Sequence, residues 1–150
     1  MLSRDIDAVT LGRIQELIEA NFAARDELYA AADSLDDDAR ANICRRLADI
    51  LASNAIELQQ VVTSSGREPT GPLDVTPVVT SLFHLTKLHG GEDAVLETTA
   101  RGERELKEYY DRAIESASDP EAESILRRQR EGVEFGEDVL QNISPLRKAK

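Results

Sequence analysis

Apolar residues recur at steps of three and four along most of this chain, which is the spacing of one face of an α-helix. The pattern predicts a first helix from about Thr10 to Leu35 and a second from about Asp38 to Ser64. The acidic run at 36–38 separates them and places negative charge at the start of the second helix, where the helix dipole favours it. The two apolar stripes contain Ile14, Leu17, Ile18, Leu28, Ala32 and Leu35, then Ile43, Leu47, Ile50, Leu51, Leu58, Val61 and Val62.

A stretch rich in glycine and proline follows the second helix. The segment from Gly66 to Pro77 predicts an irregular connection. Pro77 suits the first turn of a short helix that runs to Leu88, since proline fits this position without losing a hydrogen bond. Gly90 and Gly91 are predicted to end this short helix.

Two further long helices are predicted after the short one. The third long helix runs from about Glu92 to Ala117. The fourth begins with Asp119 as N-cap and Pro120 at the first helical position, and it runs to about Ile143. Their apolar stripes contain Val95, Leu96, Leu106, Tyr109, Tyr110, Ala113 and Ile114, then Ile125, Leu126, Val133, Val139, Leu140 and Ile143.

The lengths of the connections predict how the four long helices pack. Short links join the first helix to the second and the third to the fourth, so each pair is predicted to form an antiparallel hairpin. A long crossover that contains the short helix joins the hairpins, which is the topology of ferritin-like bundles. The predicted fold is therefore an all-α, ferritin-like four-helix bundle at 10–143, with an N-terminal extension at 1–9 and a basic C-terminal tail at 144–150.

Composition narrows the range of partners. Apolar residues make up 41% of the chain and charged residues 31%, which is typical of a globular protein. The net charge of −11 disfavours binding to nucleic acid or to anionic lipid. No apolar run approaches the ~18 residues of a membrane span, and no signal peptide precedes the helices, so a cytoplasmic location without membrane binding is expected. The single cysteine, Cys44, allows no intramolecular disulfide and is expected to be a packing residue.

Three segments resemble a family of small bacterial ferritin-like proteins of unknown function. They are Leu17–Ala32 (LIEANFAARDELYAAA), Ala55–Gly66 and Val95–Ile114 (VLETTARGERELKEYYDRAI). The resemblance extends over 11–143, and its best-fitting part is the sequence Ala-Arg-Gly-Glu at 100–103, followed by Tyr110 and Ala113. It implies a ferritin-like bundle that forms oligomers, and it brings no established activity.

The chain departs from this family, and from di-iron proteins, at the positions where chemistry would be expected. Members of the family commonly have an arginine where Asn54 stands and a histidine near Gly136. Ferritin-like di-iron sites use Glu-x-x-His pairs on two helices, and the sequence contains no such pair. The two histidines, His84 and His89, are both in the short helix and do not share a face.

The apolar stripes nevertheless include polar positions near the middle of the bundle. Two interpretations of this polar layer compete. In the first, Arg25 pairs with Glu103 or Glu57 and the amides complete a structural network, because buried charges must be paired. In the second, iron or manganese is held by carboxylates alone, but an inward arginine would repel a divalent ion. The layer contains Asn21, Arg25, Asn54, Glu57, Glu103 and Gln129, and the candidate metal ligands are Glu57, Glu103, Glu134 and Glu137.

Three glycines lie inside predicted helices. Gly102, Gly132 and Gly136 each cost about 1 kcal/mol relative to alanine. They are expected to permit close approach of neighbouring helices, and the alternative is a small cavity opposite a bulky residue such as Phe22 or Tyr110.

The leading hypothesis for function is a metal-free, non-catalytic ferritin-like protein that needs no cofactor. It would act as a structural or interaction module, either as a homo-oligomer, with a dimer favoured, or through a protein partner. The alternative is a di-metal carboxylate protein, iron-handling or oxidase, with a site that lacks histidine. A third possibility is a module that binds a small ligand in a glycine-lined cavity.

Overall fold

The computed structural model describes residues 6–72 and 76–143, and within these ranges the chain has four helices and no strand. The predicted all-helical fold with four long helices is thereby confirmed. Residues 1–5 of the predicted extension and the predicted basic tail at 144–150 lie outside the described residues. The helices are α1 (Ala8–Ser34), α2 (Asp38–Ser64), α3 (Thr76–Ser116) and α4 (Pro120–Asn142).

Aspartates cap three of the four helix N-termini. Asp119 accepts a hydrogen bond from the Ala122 N–H (2.8 Å), and Pro120 occupies the first turn, as predicted. Asp37, within the acidic run, caps α2. Asp7 accepts from the Thr10 N–H (2.7 Å), so α1 begins at Ala8, inside the stretch predicted as an extension. These side chains satisfy N–H groups that have no partner inside the helix.

Gly91 divides α3 into two parts. Its backbone has φ 73° and ψ −169°, a conformation that favours glycine because other residues would be strained. The predicted short helix corresponds to the first part of α3 (76–90), and the predicted third long helix to the second part (92–116).

The second part of α3 runs antiparallel to α1. At one end, Thr10 Oγ1 donates a hydrogen bond to the Ser116 carbonyl oxygen (2.9 Å). At the other end, the Asp36 N–H, just after α1, donates to Glu92 (3.2 Å). Helix α2 covers another side of α1, and α4 packs mainly on α3 and meets α2 at fewer positions.

Most residues of the predicted stripes form one core, but Ile50, Tyr109 and Val139 do not belong to it. Ile50 and Tyr109 are exposed, so their predicted inward orientation is wrong. Each is followed by a residue that is buried, Leu51 and Tyr110. Successive residues of a helix are about 100° apart, and in both pairs it is the second residue that faces the core.

Within 6–72 and 76–143, no helix is both long enough and apolar enough to cross a membrane.

Candidate functional site

One set of polar side chains links all four helices, and we call it the amide layer (Asn21, Asn54, Tyr110 and Gln129, which are buried, and Glu57, which is half-buried). Asn21 Nδ2 donates to Tyr110 Oη (3.0 Å), and Tyr110 Oη donates to Gln129 Oε1 (2.7 Å). Gln129 Nε2 then donates to Glu57 Oε1 (2.7 Å) and to the Asn54 carbonyl oxygen (3.3 Å). The chain of bonds thus runs from α1 through α3 and α4 to α2.

The amide layer contains one carboxylate, and that carboxylate is already engaged. Besides the bond from Gln129, Glu57 forms an ion pair with Arg128. Two buried atoms of the layer, Asn21 Oδ1 and Asn54 Nδ2, have no hydrogen-bond partner among the residues that the structure describes. The central phenol is Tyr110, and burial raises its pKa well above the usual value, so it remains a neutral donor.

Tyr110 belongs to the predicted apolar stripe of the third long helix and is missing from the predicted polar layer. The available signal was its hydroxyl group, because a buried tyrosine usually requires a partner for its O–H. Its neighbour Tyr109 carries the same group at the surface, where water supplies the partner.

Arg25 does not belong to the amide layer. The predicted pairing of Arg25 with Glu103 or Glu57 is wrong, because its guanidinium forms an ion pair with Asp26 (2.8 Å) and lies over the ring of Phe22 (4.8 Å to the centroid). A long arginine side chain can lie along an apolar surface while its charged end stays near solvent. The position of Arg25 on the stripe therefore did not determine which acid its guanidinium would pair with.

A second set of buried polar side chains consists only of acids, and we call it the carboxyl cluster (Glu27, Glu103 and Glu137). Glu103 is 3% exposed, and it has neither a hydrogen bond nor an ion pair within the described residues. Burial, followed by the charges of Glu137 and Glu27, raises its pKa to about 8. Glu103 is therefore largely protonated at neutral pH.

Glu137 has the opposite environment. Its burial would raise its pKa, but hydrogen bonds and charge from Lys107 and Arg104 outweigh burial and hold the pKa below its usual value. The distances are 2.6 Å to Lys107 and 2.9 Å to Arg104. Glu137 is thus an ionised, paired carboxylate beside the protonated acid Glu103.

Glycines bring neighbouring helices close to this cluster, as predicted for Gly102 and Gly136. A Cβ at Gly102 would lie 2.9 Å from Glu27 Oε2, and one at Gly136 would lie 3.4 Å from Glu103 Oε2. Gly132 differs, because a Cβ there would meet nothing within 4 Å. The predicted close approach at Gly132 is therefore wrong.

The four candidate metal ligands do not come together. Glu57 belongs to the amide layer, and Glu134 is exposed and pairs with Arg130 (2.9 Å). Only Glu103 and Glu137 are neighbours, and two cationic side chains already neutralise Glu137. Across 6–72 and 76–143, no three histidine, cysteine or acidic side chains are arranged to hold a metal ion. This donor set does not fit an iron or manganese pair.

The remaining candidate groups belong to neither set. His84 and His89 are exposed on the first part of α3. Cys44 is fully buried, and burial raises the pKa of its thiol to about 12, which keeps it protonated and unreactive.

A scan against models of protein families finds no family that matches this chain, and a search of curated proteins finds no match either.

Proposed function

We propose that this chain is a ferritin-like four-helix bundle that acts as an interaction module by forming a homodimer. The observation that carries the proposal is a row of exposed leucines on the first part of α3, which we call the leucine stripe (Leu82, Leu85 and Leu88). These side chains are 54%, 54% and 78% exposed. Residues three apart on a helix are neighbours, so the three form a continuous apolar surface.

The opposite face of the same helix segment is anchored to the bundle. Phe83 is buried in the core, and Lys87 Nζ forms an ion pair with Asp36 (3.1 Å). The stripe therefore points outward from a fixed helix. A continuous exposed apolar patch is typical of interaction sites, whereas single exposed residues such as Phe135 are common on any surface.

The lack of acidic residues in the segment that carries the leucine stripe favours a second copy of this chain as the partner. The protein carries 29 acidic residues, but none lies between 75 and 91. The segment that carries the leucine stripe therefore places no carboxylate of its own in a contact between two copies. A two-fold axis would bring the same residues together from both copies, and each leucine moved from water into the interface contributes roughly 1.5 kcal/mol or more.

The order of neighbouring helices supports the ferritin-like part of the proposal. Tyr29 of α1 donates a hydrogen bond to Asp49 of α2, and Arg45 of α2 pairs with Asp33 (3.5 Å), so α1 and α2 are antiparallel. Since α1 is also antiparallel to the second part of α3, α2 and that part run in the same direction. A connection between two such helices must travel the length of the bundle, as the crossover of a ferritin-like fold does.

We further propose that this bundle is not a catalyst, and the amide layer supports this. In a ferritin-like bundle, metal-binding side chains project inward from facing helices. In this chain, the buried side chains that link all four helices bond mainly to one another. We therefore infer that the amide layer stabilises the fold and that recognition of a partner takes place at the surface.

Sedimentation equilibrium between 1 and 200 μM tests the homodimer. We expect a reversible monomer–dimer equilibrium for the wild type, and at least a tenfold weaker association for the Leu85→Ser/Leu88→Ser variant. The matched control is Phe135→Ser, which removes an exposed apolar residue from α4 and should leave the association constant unchanged. Circular dichroism establishes that each variant is folded.

A wild type that stays monomeric at 200 μM would overturn the homodimer. So would a dimer that persists in the double serine variant and is lost in Phe135→Ser. The first result would mean that the leucine stripe binds a different protein. The second would mean that the chain self-associates through α4.

A further inference from the structure

Two adjoining cavities lie on either side of Gly102. Each has a volume of about 160 Å³. The first lies between α1 and the second part of α3, and the second lies between the two parts of α3. Glu27, Gly102 and Glu105 line both cavities, so the two form one continuous groove with acids at its centre.

The two acids at the centre have no cationic partner. Within the described residues, neither Glu27 nor Glu105 forms a hydrogen bond or an ion pair, although other acids nearby on the same helices are paired. Burial raises the pKa of Glu27, and the charge of Glu105 raises it further. Both effects disfavour a second negative charge in the groove, so a cation bound there would favour the ionised form of Glu27.

The walls of the first cavity are largely apolar. They include the small side chains of Ala20 and Ala24 on α1 and the larger Leu106 and Tyr109 on α3. A cavity near 150 Å³ with apolar walls can hold a molecule of the size of benzene. The volume thus suits a ligand with about six carbon atoms.

The absence of a side chain at Gly102 leaves room for the Glu27 carboxylate. A Cβ at position 102 would lie 2.9 Å from Glu27 Oε2, closer than such contacts occur. Any other residue would displace the carboxylate and narrow the groove where the two cavities meet. Gly102 therefore both opens the space and allows Glu27 to reach its centre.

We propose that this groove binds a small organic cation: a primary ammonium group on an unbranched aliphatic chain. The ammonium group lies between the Glu27 and Glu105 carboxylates, and the chain lies against Ala20, Ala24 and Leu106. An ammonium satisfies two acceptors with its own donors, and its charge removes the repulsion between them. A metal ion is less suitable, since the groove supplies two carboxylates and no other ligand of that kind.

Within 6–72 and 76–143, Arg101 is the cationic residue that lines the groove. It lines the second cavity and is one helical turn before Glu105, but it forms no ion pair among the described residues. If its guanidinium turned toward Glu105, it would neutralise part of the charge that attracts the ligand. Its removal is therefore expected to strengthen ammonium binding, which a purely apolar cavity would not show.

Titration of ¹⁵N-labelled protein with n-hexylamine, followed by NMR, tests the proposal, with n-hexanol as the neutral probe of equal chain length. We expect shifts centred on the amides of Glu27, Gly102 and Glu105, and at least tenfold weaker binding of the alcohol. Glu27→Gln and Glu105→Gln should each weaken hexylamine binding at least fivefold. Arg101→Gln should strengthen it at least twofold.

The matched control is Glu115→Gln, which removes the same charge from an exposed position on α3 remote from the groove. It should leave hexylamine affinity within twofold of the wild type. Equal binding of amine and alcohol, or equal losses in Glu115→Gln and Glu27→Gln, would overturn the proposal. So would shifts that map to another surface. Glu105 is exposed, so its variant keeps the test valid even if Glu27→Gln fails to fold.

Discussion

The amide layer and the carboxyl cluster lie about two helical turns apart in the same core, but their side chains differ in how their polar groups are paired. In the amide layer, neutral amides and a phenol link four helices by hydrogen bonds of 2.7–3.3 Å. In the carboxyl cluster, the most buried group, Glu103, has acids as the neighbours that shift its pKa. The hydrogen bonds of the amide layer stabilise the fold. The carboxyl cluster buries Glu103, which is neutral only while it stays protonated.

The difference shows how a helical core can carry polar groups at low or at high cost. A network of hydrogen bonds contributes stability and fixes the register of the helices, because any slip would break several bonds together. A buried acid without a partner lowers stability as the pH rises above the pKa that the acid has in the unfolded chain, because the unfolded chain then gives up the proton more readily than the folded one. We therefore expect a substitution that removes the central polar group to lower the stability of the protein in the amide layer and to raise it in the carboxyl cluster.

The largest expected effect is in the amide layer. Tyr110→Phe removes the hydroxyl that joins Asn21 to Gln129 and leaves Gln129 Oε1 without its donor. We expect this variant to be less stable by about 2 to 3 kcal/mol, because a buried unsatisfied group loses its full solvation. Urea denaturation followed by circular dichroism measures the change.

The matched control is the adjacent residue. Tyr109→Phe removes the same hydroxyl from an exposed ring, so it should change stability by less than about 0.5 kcal/mol. Equal effects of the two substitutions would mean that the amide layer contributes nothing beyond the packing of aromatic rings.

The next effect is of opposite sign and lies in the carboxyl cluster. The pKa of Glu103 is raised from 4.5 to about 8 in the folded protein. Its contribution to stability is therefore fully present below pH 4.5 and is lost as the pH rises through about 8. We expect Glu103→Gln to be more stable than the wild type by about 1 to 2 kcal/mol at pH 9 and to lose this advantage near pH 4. Denaturation at a series of pH values measures both limits.

Glu137→Gln is the counterpart in the same cluster. Because the pKa of Glu137 is lowered, its stabilising effect is present at neutral pH and is lost as the pH falls into the acidic range. This variant should be less stable than the wild type at pH 7, since it breaks the ion pairs with Lys107 and Arg104. If both glutamine variants changed stability in the same direction at pH 9, the contrast between paired and unpaired acid would be wrong.

The parts of this molecule that sequence predicts are those set by periodicity and capping. The spacing of apolar residues predicts four long helices, and Asp119 with Pro120 marks the start of α4. The same stripes place Asn21, Asn54 and Gln129 near the middle of the bundle, because their positions follow from the period alone. The fate of Arg25 does not follow, since a long side chain can leave the stripe and bond to the adjacent Asp26.

The groove at Gly102 illustrates what sequence leaves open. Glu27 and Glu105 are two acids among 29, and no local pattern distinguishes them. Their meeting depends on how closely α1 approaches α3, and on the absence of a Cβ at position 102. Such information is tertiary, so it becomes visible only when the helices are placed together.

The smallest expected effect compares two glycines of α4, one near each region. Gly132→Ala adds a methyl group where nothing lies within 4 Å, so the gain in helix propensity, about 1 kcal/mol, should appear as added stability. Gly136→Ala adds the same group 3.4 Å from Glu103 Oε2 and from Leu47, so crowding should cancel much of that gain. Urea denaturation of both variants measures the difference. Equal stabilisation would mean that the helices around Glu103 can move apart at little cost, and that the acid is not held by close packing.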